Sequence, residues 1–171
     1  MTTLADEFAH QTYLPLSVIA LRLTIALVCG AIVGFEREWH QHAAGLRTHI
    51  LICLSSATVA IAAIEMTHLP MFNSDHTRLD PLRLIESLTS GVAFLAAGSI
   101  VFARGAVRGL TTGAGMWLAG AIGLAAGLGF WQLAGITTGF AMLVLWLLHS
   151  LSTRLSRRDT RTSGSDGDPR T

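Results

Sequence analysis

Charge is scarce in this sequence. Charged residues make up 13% of its 171 residues, against roughly 25% in a soluble domain. That scarcity excludes a chain whose whole surface meets water. Lysine is absent: all twelve basic residues are arginine, which reads as a compositional bias of the genome rather than a binding signature. Cysteine is limited to Cys29 and Cys53, both inside apolar runs, where a thiol behaves as a small hydrophobe. Neither a disulfide nor a cysteine metal site is expected. No basic stretch precedes the first apolar run, since residues 1–14 carry Asp6 and Glu7 but no arginine. That run is therefore expected to stay as a membrane anchor rather than to be cleaved as a signal peptide. Neither Gly-Lys-Ser/Thr nor His-Glu-x-x-His occurs, which removes the phosphate-binding loop and the zinc-hydrolase helix. No catalytic residue, cofactor or metal site is assigned, and the protein is not expected to be an enzyme.

What is abundant is hydrophobicity, at 51% of residues. It falls into five runs, at about 15–35, 48–66, 84–103, 109–128 and 130–150. Each approaches the ~20 residues that span a hydrocarbon core, and a helix satisfies its own backbone there. The runs are too long and too uniform for barrel strands of about ten alternating residues. The sequence thus predicts an all-α polytopic membrane protein of five transmembrane helices. Residues 1–14 form a polar N-terminal segment, 15–150 the transmembrane domain and 151–171 a disordered cytoplasmic tail. That tail ends in TRTSGSDGDPRT, too poor in apolar groups to fold alone. The segment THLPMFNSDHTRLDPLR, residues 67–83, reads as a polar loop. Arg37, Arg47, Arg104, Arg108 and the tail residues Arg154, Arg157, Arg158, Arg161 and Arg170 fall on one side, with Arg78 and Arg83 on the other. The positive-inside rule then places the N-terminus outside and the C-terminus in the cytoplasm.

Small residues recur four apart in these runs, as Gly30 and Gly34, Gly123 and Gly127, and Gly135 and Gly139. Such pairs share a helix face and let backbones approach closely. Packing within the chain is the first expectation and a dimer contact the alternative. Arg22, Glu65 and Glu86 lie towards the outer side of the runs. Arg22 is predicted to pair with Glu86 or Glu65, since an unpaired charge is costly there, unless it snorkels outward. On the cytoplasmic side Glu36, Arg37, Glu38, Arg47, His49, Arg104 and Arg108 gather. Glu36 follows Gly34 closely and is expected to be partly buried, held by Arg108 or Arg47. The fourth run opens with Arg108-Gly109-Leu110-Thr111-Thr112, which sets an anion-attracting helix N-terminus among basic groups. His40 with His42, and His76 beside Asp75, are weak metal spacings. Trp39, Trp131 and Trp146 fit interfacial or lipid-facing positions, and Trp117 a packing one.

Three blocks carry a resemblance: GAIVGFEREWHQHAAGLRTHIL, DPLRLIESLTSGVAFLAAGSI and VRGLTTGAGMWLAGAIGLAAGLG. In order and spacing, over residues 30–129, the sequence resembles the membrane domain of the MgtC/SapB family. The signature positions carry over as Gly34, Glu36, Arg37, Gly45, Leu46, Arg47, Thr48, Asp80, Arg83, Gly91, Phe94, Gly98, Arg108, Gly109, Leu110, Thr111, Thr112 and Trp117. The resemblance implies a multi-span bacterial inner-membrane protein tied to magnesium limitation, stress or virulence. Members have been taken for magnesium transporters, and also for regulators that bind membrane partners such as the proton-driven ATP synthase. The sequence departs from the family pattern at Ala93 and Ala96, where glycines are usual, at Ser87, where glutamine is common, and at Gly113 and Gly115, which replace alanines. Many relatives carry a soluble C-terminal domain, whereas here a polar tail follows the fifth run.

The expected function is a non-enzymatic membrane regulator that packs against a partner through small-residue faces. The alternative is a transporter or channel subunit for Mg²⁺ or another small ion, with Glu86, Glu65, Asp80 or Glu36 along its path. Mg²⁺ takes oxygen ligands and keeps several waters. The expected partners are the lipid bilayer, a membrane protein and a second copy of the chain. No nucleic acid is expected.

Overall fold

A computed structural model of the protein describes residues 12–69, 80–103 and 105–162. Among these, the chain forms α1 (Leu16–Trp39), α2 (Leu46–His68), α3 (Pro81–Gly98), β1 (Val101–Ala103), β2 (Ala106–Arg108), α4 (Leu110–Leu128) and α5 (Trp131–Thr162). This is the all-α polytopic architecture read from the sequence. The helices α1, α2 and α4 are each long and apolar enough to cross a membrane. The 18-residue α3 carries Arg83 and Glu86, and α5 opens with a shorter apolar stretch, Trp131–Leu147.

Two expected boundaries are corrected. The third run, expected to reach residue 103, leaves the helix at Gly98 and turns into an antiparallel hairpin that pairs Val101 with Arg108 and Phe102 with Val107. Gly105, at φ +79°, supplies its turn, and Val101, Phe102 and Val107 supply strand-forming side chains. Gly109, at φ +88°, follows, and a Cβ there would run into the Ser99 carbonyl. The fifth helix continues past 150 to Thr162, where a disordered tail was expected. No glycine or proline interrupts residues 140–162, so nothing stops it earlier. Residues 70–79, with Asp75, His76 and Arg78, lie outside the described residues, as do Arg104 and the tail from 163. The chain divides into two units, Met1–Thr138 and Gly139–Thr171. The second holds the continuation of α5; the first holds the bundle described below.

Contacts fix the directions of the helices in the first unit. Gly34 and Gly30 of α1 meet Leu46 and Cys53 of α2, so these two run antiparallel. His49, Cys53 and Ala57 of α2 meet Gly115, Gly123 and Gly127 of α4, so α2 and α4 run parallel. Val92 and Ala96 of α3 meet Gly120 and Gly113 of α4, so α3 runs back between them. Two parallel spans require a return crossing, and α3 is the helix that makes it. One end of the bundle therefore collects the end of α1, the start of α2, the end of α3 and the start of α4.

The interior of the bundle is built from small residues and the outside from large ones. Ala26, Cys53, Ala57, Ala119 and Ala126 are buried, while Leu27, Phe35, Leu51, Trp117 and Phe94 point outward. This suits a solvent as apolar as the side chains, where association depends on close van der Waals fit. A Cβ on Gly34 would stand 2.8 Å from the Leu46 Cα, and one on Gly127 would stand 2.7 Å from the Ala57 Cα. A Cβ on Gly123 would collide with the Cys53 carbonyl, and one on Gly30 would stand 2.9 Å from the His49 carbonyl. The Cys53 thiol donates to the Ala119 carbonyl at 3.1 Å, which adds a polar link to the same seam. The expected packing glycines Gly91 and Gly98 behave otherwise: both face open space, as does Gly135.

Gly123→Ala is expected to lower stability by about 1–3 kcal/mol through overpacking, read as a lower unfolding midpoint in detergent. Gly91→Ala, with open space around it, is expected to leave the midpoint unchanged or raise it through helix propensity.

Candidate functional site

The polar end of the bundle begins at the last turn of α1. Arg37 lies seven residues after Gly30 and three after Gly34, on the face that meets α2 and α4. It is 1% exposed. Its Nη2 donates to Thr112 Oγ1 at 3.2 Å, joining α1 to the first turn of α4. A buried guanidinium needs such partners, since desolvation penalises the charge. Glu36, one position round the helix, turns elsewhere. Its Oε1 stands 3.2 Å from His40 Nδ1, which also lies 2.9 Å from the Glu36 carbonyl. The expected pairing of Glu36 with Arg108 or Arg47 is thus replaced by a local one, because both arginines are exposed while His40 sits one helical turn away.

Glu38 closes the loop between α1 and α2. The N-cap of α2 is Gly45, which has no side chain to offer. Glu38 Oε2 takes that role and accepts the Leu46 N–H at 3.0 Å. It lies so near Gly45 that a Cβ there would collide with it. Gln41, at φ +55°, makes the reversal between the helices. His49, in the first turn of α2, is fully buried, and its Nδ1 lies 2.9 Å from the Gly45 carbonyl. Gly115 of α4 faces His49 Nε2 and the Arg37 guanidinium. Arg37, His49 and Thr112 thus form a buried polar knot where α1, α2 and α4 meet. Thr111, next to Thr112, is exposed.

The other end of the bundle corrects the predicted Arg22 pairing. Arg22 Nη1 donates to the Gly127 carbonyl at 2.8 Å, at the C-terminus of α4, where Gly129 ends the helix at φ +87°. Free carbonyls at a helix C-terminus attract a cation. Glu65 instead accepts the N–H groups of Tyr13 and Leu14, at 2.7 and 2.8 Å, just before α1 begins. Tyr13 stacks on His68 with ring centroids 3.4 Å apart. Asp80 caps α3, accepting the Leu82 N–H at 2.9 Å, and Arg83 and Glu86 are exposed. Among the described residues, no three His, Cys, Asp or Glu side chains stand close enough to hold a metal ion. Sequence reasoning placed His49 only as one of several charged groups and noted Gly115 only as a departure from the family pattern. The recurrence of His49, Cys53, Ala57 and Ala60 at helical spacing was the available signal, since it puts His49 on the small-residue face.

Thr112→Val is expected to cost about 1–3 kcal/mol by leaving a buried guanidinium N–H without an acceptor, while Arg47→Gln leaves the unfolding midpoint in place. Arg22→Leu is expected to lower the midpoint, and adding Glu86→Leu is expected to give no recovery. A double-mutant cycle with non-zero coupling would revive the Arg22–Glu86 pair.

Comparison with known proteins identifies a family. The family described as the MgtC family matches over residues 23–154. YhiD of Escherichia coli (strain K12), named as a candidate magnesium transporter, is 37% identical over 140 residues, covering 81% of this chain and 64% of YhiD. Protein SapB of Bacillus subtilis (strain 168) is 36% identical over 150 residues, covering 84% of this chain and 64% of SapB. Protein MgtC of Brucella abortus (strain 2308) is 35% identical over 138 residues, covering 80% of this chain and 54% of that protein. The chain thus spans less than two thirds of the length of these relatives. No solved structure matches it. With its spanning helices and its polar knot inside the matched region, the chain belongs to the MgtC family.

Proposed function

We propose that this protein is a bacterial inner-membrane component of magnesium homeostasis that acts by packing against another membrane protein, rather than by catalysis or by carrying the ion. The magnesium link rests on the names of its relatives. The observation that carries the mode of action is the contrast between two sets of glycines. Gly30, Gly34, Gly123 and Gly127 are consumed inside the bundle, with backbones in contact, whereas Gly91 and Gly98 of α3 face open space. A helix face with exposed glycines admits a second backbone closely; Gly135 and Gly139 of α5 also face open space, and α3, whose Gly91 and Gly98 lie in a block that carries the family resemblance, is taken as the element that meets the partner. The carboxylates lie away from the closed seam. Glu36 and Glu38 stand at the polar end, Glu65 at the other, and Asp80 and Glu86 on the exposed surface of α3. By the positive-inside rule the polar end, with Arg47 and Arg108, faces the cytoplasm. The family resemblance makes the proton-driven ATP synthase the first partner to test.

Ion transport is the second reading, favoured by the name given to YhiD and by the exposed Asp80 and Glu86. One preparation separates the two. The purified full-length protein in liposomes is expected to give no Mg²⁺ flux. In membranes it is expected to co-purify with a membrane protein, and Gly98→Leu is expected to abolish that capture with an unchanged unfolding midpoint. Flux that Glu86→Gln removes would overturn the proposal and establish transport.

A further inference from the structure

The polar knot contains two buried nitrogens with no protein partner, Arg37 Nε and His49 Nε2. Their side chains are 1% and 0% exposed. Both face the same place. A Cβ built on Gly115 would stand 3.2 Å from His49 Nε2 and 3.8 Å from Arg37 Nε. Gly115 is therefore the floor of a small cradle where α1, α2 and α4 meet, with a polar atom from each of the other two helices turned towards it.

The two atoms have opposite hydrogen-bonding roles. A guanidinium Nε–H can only donate. His49 Nδ1 lies 2.9 Å from the Gly45 carbonyl, and a carbonyl can only accept, so the ring proton sits on Nδ1. The neutral ring then presents Nε2 as an acceptor. An anion in the cradle would suit Arg37 but would face the lone pair of His49. A cation would suit His49 but would face the guanidinium. Only a small molecule that accepts and donates satisfies both groups, and buried waters do this for otherwise unpaired polar atoms.

We propose that Gly115 floors a one-water site in which water accepts from Arg37 Nε–H and donates to His49 Nε2, linking α1 to α2 beside α4. The site explains how a guanidinium and an imidazole share one buried position without a direct bond. It also gives Gly115 a role distinct from that of Gly123 and Gly127, whose missing Cβ atoms admit backbone.

The test uses the full-length protein in nanodiscs with ¹⁵N-labelled histidine. His49 is expected to show the neutral Nδ1–H tautomer, with Nε2 unprotonated and accepting a hydrogen bond. A protonated Nε2, or an unprotonated Nε2 without a hydrogen bond, would overturn the proposal. Substitution gives an independent reading. Gly115→Ala puts a methyl into the cradle and is expected to lower the unfolding midpoint by roughly 5 °C, as for stranded buried polar groups. Gly115→Ser brings a hydroxyl that can stand in for the water, and is expected to recover at least half of that loss. If Ser is no better than Ala, the space is merely tight and the proposal fails. Replacing chloride by gluconate is expected to leave the wild-type midpoint unchanged, whereas a chloride-dependent rise would assign the site to an anion instead.

Discussion

The closeness with which α2 approaches its two neighbours governs the rest of the bundle. In lipid there is no gain from hiding one hydrocarbon surface against another, so helices associate by fit. Here the fit is backbone to backbone. One face of α2, running through His49, Cys53, Ala57 and Ala60, meets Gly30 and Gly34 of α1 and Gly123 and Gly127 of α4. Each glycine removes a side chain that would hold the axes apart, and many weak dispersion contacts then accumulate along the seam. The large apolar side chains follow from this constraint. Few enter so narrow a core, among them Ile52, Met116 and Ile122, while Leu27, Phe35, Leu51 and Trp117 go outward, where lipid accepts them at no cost.

The same closeness decides what happens to charge. A seam that excludes water leaves each helix end with unsatisfied backbone groups, and the charged residues are used there. Glu38 serves the start of α2, Glu65 the residues leading into α1, and Asp80 the start of α3, while Arg22 serves the end of α4. In each case the sign is the one the helix end prefers, anion at the N-terminal side and cation at the C-terminus. This explains why Arg22 and Glu65, both within the membrane-facing part of the chain, do not pair. Glu65 finds two backbone N–H groups and Arg22 a helix-terminal carbonyl, already oriented and needing no second long side chain to be immobilised. Arg37 is the exception to terminal use by sign, since it meets the N-terminal turn of α4 through a hydroxyl oxygen. Thr112 Oγ1 is the acceptor that makes that approach tolerable.

The five apolar segments were legible because hydrophobicity over about twenty residues is a summed signal that no single residue can hide. The hairpin at 101–108 was not, since its strands are three residues each and continue the apolar run before them. The partner of Arg22 was illegible for another reason. It is a main-chain carbonyl, and carbonyls carry no letter in the sequence. The burial of Arg37 rather than Arg47 could have been read from helical phase, because Arg37 shares its face with Gly30 and Gly34. Proximity in sequence to Gly34 pointed to Glu36, which is part-buried as expected, but one step along a helix turns a side chain by about 100°, and that step puts Arg37 in the knot. Likewise the glycines of α3 looked equivalent to those of α1 and α4, because spacing reports that residues share a face but not whether anything lies against it.

The uneven use of glycine bears on what the molecule can do. An ion crossing between α1, α2 and α4 would have to part backbones already in contact. The helix that can change its surroundings without opening that seam is α3. Its buried side chains, Val92 and Ala96, hold it against α4 through Gly120 and Gly113, and its opposite face, with Gly91, Phe94 and Gly98, is open among the described residues. The return crossing that the parallel arrangement of α2 and α4 requires thus also presents a surface of small and large residues to whatever lies beside it. A core of three closely packed helices with one such face outward is what the proposed recognition of a partner within the bilayer rests on.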